Sequence, residues 1–85
     1  MTETKNWLNE WFYNNTDLDK THIQKNSEVN YFSTGWIDSF KFIELIANIE
    51  NKFEITFSNE EFQDREFSTI SGLCKIIEEK IDRKI

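Results

Sequence analysis

A chain of 85 residues with two glycines and no proline has almost nothing with which to interrupt a helix. Gly and Pro are the strongest local breakers, so helical segments here run until polar capping residues end them. Apolar residues recur at three- and four-residue spacing along most of the chain, which predicts an all-α fold. Thirteen aromatic residues (eight Phe, three Trp, two Tyr) supply its core. At this length one core only just offsets the chain entropy, and large rings bury the most area per position, worth about 25 cal/mol per Å². The expectation is a single domain over residues 1–85, folded as a small four-helix bundle of three main helices and one short one.

The first helix is expected over about Glu3 to Tyr13, where Trp7, Leu8, Trp11 and Phe12 form one apolar stripe. Asn14-Asn15-Thr16 ends it. Asp17 to Ile37 reads as an ordered loop, packed down at Leu18, Ile23, Val29, Tyr31 and Phe32. The second helix runs from Ser39 to about Phe53, with Leu45, Ile46, Ile49 and Phe53 on one side. Phe40, Ile43 and Ala47 lie near its other edge beside Glu44 and Glu50, an apolar fringe unusual on a solvated face. Glu54-Ile55-Thr56-Phe57 reads as a short extended link to a cap at Ser58 or Asn59. A short third helix follows near Glu60 to Gln63, with Phe62 and Phe67 as core anchors on either side of the charged turn Asp64-Arg65-Glu66. The last helix starts at Ser68 or Thr69 and carries Ile70, Leu73, Ile77 and Ile81 at helical spacing. Lys80, Arg83 and Lys84 near its end suit the negative pole of the helix dipole.

Composition narrows the chemistry. One cysteine excludes an internal disulfide, and no signal peptide or long apolar run is present, so a cytoplasmic protein without stable membrane insertion is expected. A formal net charge of −6 disfavours nucleic acid and anionic membranes and favours partners with basic surfaces. A monomer is expected. Cys74 reads as a buried or half-buried structural thiol, and His22 as a solvated loop residue. Asp17 to Glu28 places oxygen ligands at positions 1, 3, 5 and 12 of an EF-hand-like loop. His22 stands where the turn needs glycine, however, and Lys25 would be a cation beside the metal, so no metal is assigned.

The most informative stretch is Gly35-Trp36-Ile37-Asp38-Ser39-Phe40. Gly35 allows a tight turn, and Trp36 with Ile37 pins the chain as a hydrophobic staple does. Asp38 is of the type that caps a helix, its carboxylate accepting from free N–H groups one turn on. Ser39 then stands in the first turn, exposed and fixed. A nucleophilic serine needs a base and an oxyanion site, but the only histidine lies in the polar loop and no Gly-rich elbow surrounds Ser39. The chain is therefore expected not to be an enzyme: Ser39 is presented for modification by another protein.

From Asn30 to Ile81 the chain resembles acyl carrier proteins and the related peptidyl and D-alanyl carriers. The resemblance rests on Phe32, Gly35, Asp38-Ser39-Phe40, Glu44-Leu45-Ile46, Ile49-Glu50, Phe53, Ile55, Glu60-Glu61-Phe62, Thr69-Ile70, Leu73 and Ile77. It implies that Ser39 receives a 4′-phosphopantetheine arm from coenzyme A through a phosphopantetheinyl transferase with Mg²⁺. Acyl or aminoacyl groups then ride on the arm's thiol between a loading enzyme and a downstream transferase or synthase. Phe40 stands where Leu or Met is commoner in the family and keeps the hydrophobic contact. Gly35 lies four residues before Ser39, not three as in fatty-acid carriers. That spacing matches D-alanyl and many specialised stand-alone carriers, and the stretch from Glu61 to Phe67 resembles the third-helix region of D-alanyl carriers, a match too short to assign the cargo. The second helix is also less acidic than in fatty-acid carriers, so Asp38, Phe40, Ile43, Glu44, Ala47 and Glu50 are the expected partner-binding residues, with the apolar ones dominant. The competing reading is a cofactor-free acidic helical adaptor that binds a basic partner, in which Ser39 would be dispensable.

Overall fold

The computed structural model describes residues 2–84, and among them it contains four α-helices and no strand. Helix α1 spans Thr2–Asn15 and buries Leu8, Trp11 and Phe12 along one stripe, as the spacing requires. Its end is closed locally: the Asn15 side-chain amide donates to the Trp11 carbonyl at 2.8 Å, and the Thr16 hydroxyl donates to the Phe12 carbonyl. The segment from Asp17 to Ile37, expected as loop throughout, contains a helix, α2, over Lys20–Lys25. Asp19 caps it, its carboxylate accepting from the His22 N–H at 2.7 Å, and Ile23 is its buried anchor. Six residues show no periodicity to read. The helix depends on burying Ile23 in the shared core, with exposed Lys20 adding a pairing with Glu10 at 2.8 Å and a contact over the Tyr13 ring of α1.

Helix α3 spans Ser39–Phe53 with the expected bounds and buries Leu45, Ile46 and Ile49. Phe42 begins the same stripe, standing three, four and seven residues before them. Half-buried, it meets the rings of Phe32, Tyr31, Phe62 and Phe67. The helix ends on Glu54, which takes the left-handed conformation (φ 55°) usually left to glycine.

Between α3 and the last helix lie two 3₁₀ turns, Glu61–Gln63 and Arg65–Ser68, separated only by Asp64. Ser58 leads into the first: its N–H donates to the Glu61 carboxylate at 2.8 Å, and its hydroxyl accepts from the Glu61 N–H at 3.3 Å. Only one of the two expected anchors is interior. Phe67 is 2 % exposed, whereas Phe62 is 38 % exposed and packs edge-on against Phe42 and Phe57 from outside. Two short turns back to back point successive Phe side chains in different directions, which a continuous helical reading does not capture.

Helix α4 spans Ile70–Lys84, and Thr69, not Ser68, caps it, its hydroxyl accepting from the Gly72 N–H at 3.0 Å. Ile70, Leu73 and Ile77 are fully buried, and Ile81 packs at the edge of the core. The Lys84 side chain lies outside the described residues. Helix α4 packs on α1 and on the second 3₁₀ turn. The second contact is close enough to demand Gly72: a Cβ there would sit 2.1 Å from the Glu66 carbonyl oxygen. The buried side chains of all these elements form one cluster.

Candidate functional site

The loop before α3 is built outward from Tyr31, which is fully buried. Its N–H donates to the Ser68 carbonyl at 3.0 Å, and its own carbonyl accepts from the N–H groups of Trp36 at 3.0 Å and Ile37 at 3.4 Å. Gly35 makes that return possible with φ 76°. A Cβ at this position would touch nothing, so the demand is for backbone conformation and not for space. Trp36 is half-buried against the rings of Phe12 and His22, and Ile37 is 5 % exposed, as the staple reading requires.

Asp38 follows in extended backbone conformation. Its carboxylate accepts from the Lys41 N–H at 2.9 Å and its carbonyl from the Phe42 N–H at 2.9 Å, which closes the first turn of α3. Ser39 is the first residue of the helix and is exposed. Among the described residues nothing donates to its hydroxyl or accepts from it. Neighbouring polar side chains are engaged elsewhere. Lys41 turns toward α1, its Nζ 3.3 Å from Asn15 Oδ1 and 3.4 Å from Glu44 Oε1, and the His22 ring meets Trp36 at a tilt from α2. The hydroxyl is thus open to an approaching partner.

Of the residues expected to bind partners, Asp38 is the cap of α3 and the others fall into two adjoining rows of the helix. Phe40, Glu44 and Ala47, at i, i+4 and i+7, point outward, and Phe40 is 84 % exposed. Ser39, Ile43, Ile46 and Glu50, at i, i+4, i+7 and i+11, form the next row, and Ile43 is 68 % exposed. This second row borders a groove of about 270 Å³, closed on the far side by Phe42 and Phe62. Ser39 shares this row of the helix but is not among the residues that line the groove. Glu50, about 16 Å further along the axis by helical rise, also serves the fold, since its carboxylate accepts from the Phe57 N–H at 3.0 Å. A larger hollow of about 700 Å³ opens there between the ends of α3 and α4, among Glu50, Glu54, Lys80 and Arg83. Its charges are mixed, and it lies well away from Ser39. Sequence reading missed Phe42 and the depth of Tyr31; the i, i+3, i+4, i+7 series from Phe42 was the signal for the first.

Two titratable groups elsewhere in the bundle are shifted from their ordinary values. Burial works against ionisation of Glu61, but bonds from Lys80 and from the Ser58 N–H and hydroxyl outweigh it and hold the carboxyl below its ordinary value. Burial, with Glu78 beside it, pushes the Cys74 thiol up, which suits an inert structural cysteine.

Comparison with known proteins agrees with this geometry. A family profile described as a phosphopantetheine attachment site matches residues 16–77. The D-alanyl carrier protein of Staphylococcus saprophyticus is 34% identical over 65 residues, covering 75% of this chain and 83% of that protein. The D-alanyl carrier proteins of Bacillus velezensis and Staphylococcus xylosus are each 33% identical over 57 residues, covering 67% of this chain and 73% of their own. No solved structure matches the chain significantly. The match favours a carrier over the cofactor-free adaptor. With its all-α bundle and a profile match over most of its length, the chain belongs to the family of carrier proteins that bear covalently attached 4′-phosphopantetheine.

Proposed function

We propose that Ser39 is the residue that takes the 4′-phosphopantetheine arm, and that the chain is an aminoacyl carrier with D-alanine as its cargo. The observation that carries the first part is the Ser39 hydroxyl: exposed, without a bonded partner, and fixed in the first turn of α3 by the Asp38 cap within the matched region. The attached arm supplies a terminal thiol on which cargo is held as a thioester. The chain's own residues make and break no bond beyond offering that hydroxyl; a phosphopantetheinyl transferase brings the base and the Mg²⁺. Phe40 and Ile43 are the anchors of the docking surface, with Ala47 between them and Asp38, Glu44 and Glu50 at its charged rim. The names of the relatives and the spacing of Gly35 support the D-alanyl cargo. The loading enzyme and the acceptor of the cargo are then partners in the cytoplasm.

A fluorescent coenzyme A analogue and a transferase of broad specificity test the site. The wild type takes up one label, and Ser39→Ala takes up none while keeping its helical content. A label retained by Ser39→Ala would place the attachment elsewhere. For the cargo, loaded protein incubated with ATP, D-alanine and a D-alanine-activating enzyme gains the mass of one alanyl group; gain from L-alanine alone would overturn that assignment.

A further inference from the structure

Tyr31 carries more connections than a buried loop residue needs. Its N–H reaches Ser68, its carbonyl receives Trp36 and Ile37, and its phenol donates to the Phe67 carbonyl. The two carbonyls on the far side belong to the second 3₁₀ turn, and the two N–H groups on the near side belong to the residues that deliver Asp38 and Ser39 to α3. A neutral donor buried this completely has no water to fall back on, so its bond to Phe67 is fully retained in the folded state. We infer that Tyr31 is a positioning residue for the modification of Ser39, its hydroxyl locking the segment Asn30–Ile37 onto the second 3₁₀ turn so that Ser39 is held where a transferase reaches it. This rests on Ser39 being the attachment site.

Tyr31 touches neither cofactor nor hydroxyl; it acts through the loop. Tyr31→Phe keeps the ring contacts with Phe12, Phe32 and Phe42 and removes only the phenol bond. The local effect is read by hydrogen exchange of the unmodified protein. Protection of the Trp36 and Ile37 amides falls about tenfold relative to Leu73 and Ile77 amides in α4, from the ordinary worth of one buried bond. In transfer from coenzyme A the apparent KM for the carrier rises several-fold with kcat held, because a smaller fraction of the carrier presents Ser39 correctly. Ile77→Val, a core truncation in α4, controls for lost stability and leaves KM unchanged.

Uniform loss of protection at all four amides, or an unchanged KM, would reduce Tyr31 to a general stabiliser and overturn the inference. If Tyr31→Phe does not fold, the wild-type hydroxyl proton decides: slow exchange by nuclear magnetic resonance supports the lock, and rapid exchange contradicts it. Failure of the wild type to accept the arm at all would instead overturn the reading of Ser39.

Discussion

Replacing Gly72 by alanine tests whether the second 3₁₀ turn is seated on α4 as tightly as the structure requires. In an exposed helix the change would gain about 1 kcal/mol of helix propensity. Here the new Cβ would lie 2.1 Å from the Glu66 carbonyl oxygen and 2.7 Å from two further backbone atoms, whereas ordinary contact begins near 3.4 Å. The obstruction is main chain and has no rotamer to change, so the turn must move by about an ångström. Overpacking of this kind costs about 1–3 kcal/mol. Movement also strains the bonds from Thr69 to the Glu66 carbonyl and from Tyr31 to the carbonyls of Phe67 and Ser68, each worth about 1 kcal/mol. After the propensity gain, a net loss of about 2–3 kcal/mol is expected, out of about 4–13 kcal/mol for a domain of this length. Urea unfolding followed by far-ultraviolet circular dichroism reads it directly, and the thermal midpoint falls by about 10 °C or more. Glu79→Ala, on the exposed side of the same helix, changes stability by less than about 0.5 kcal/mol. A neutral or stabilised Gly72→Ala protein would refute the reasoning, since it would leave helix propensity as the only force at work.

Asp38→Ala removes the side-chain cap of α3 and costs about 1 kcal/mol in denaturant unfolding, while Asp38→Asn stays closer to the wild type; equal losses would show that charge and not capping is at stake. Glu54→Gly relieves a side chain held at φ 55° and raises stability by about 0.5–1 kcal/mol, and a loss on substitution would mean that the Glu54 side chain outweighs its backbone cost. The Glu61 carboxyl is held below its ordinary value in the folded chain, so its contribution is complete above the unfolded value of 4.5 and is lost as pH falls through the folded one. Lys80→Met therefore flattens the acid limb of the stability profile below about pH 5; an identical limb in both proteins would remove the ion pair from the explanation.

Much of the fold was legible because the long helices follow simple rules. The α3 bounds could be read from Asp38 as cap and from the spacing of Leu45, Ile46, Ile49 and Phe53, all local signals. Helix α2 was not, since a six-residue helix with one buried side chain depends on a core that other elements supply around Ile23. Phe62 and Phe67 carry the same side chain five residues apart, and only the change of direction between the two 3₁₀ turns decides that one is interior and the other half outside. Gly72 is similar: its necessity comes from the Glu66 backbone crossing α4, which no sequence window contains. At the site, Asp38 and Ser39 were readable from capping chemistry, and the exposed Phe40 and Ile43 on adjoining rows of α3 from periodicity. The bonds of Tyr31 to Phe67 and Ser68 join residues 36 and 37 positions apart in the chain, which local patterns do not encode.

The most direct test of the central claim is the intact mass of the protein after incubation with coenzyme A, Mg²⁺ and a phosphopantetheinyl transferase, followed by fragment mapping. The account predicts a single phosphopantetheine adduct on the peptide that contains Ser39, and none on Ser39→Ala. An unmodified wild type with several transferases, or an adduct mapped to any other residue, would contradict it.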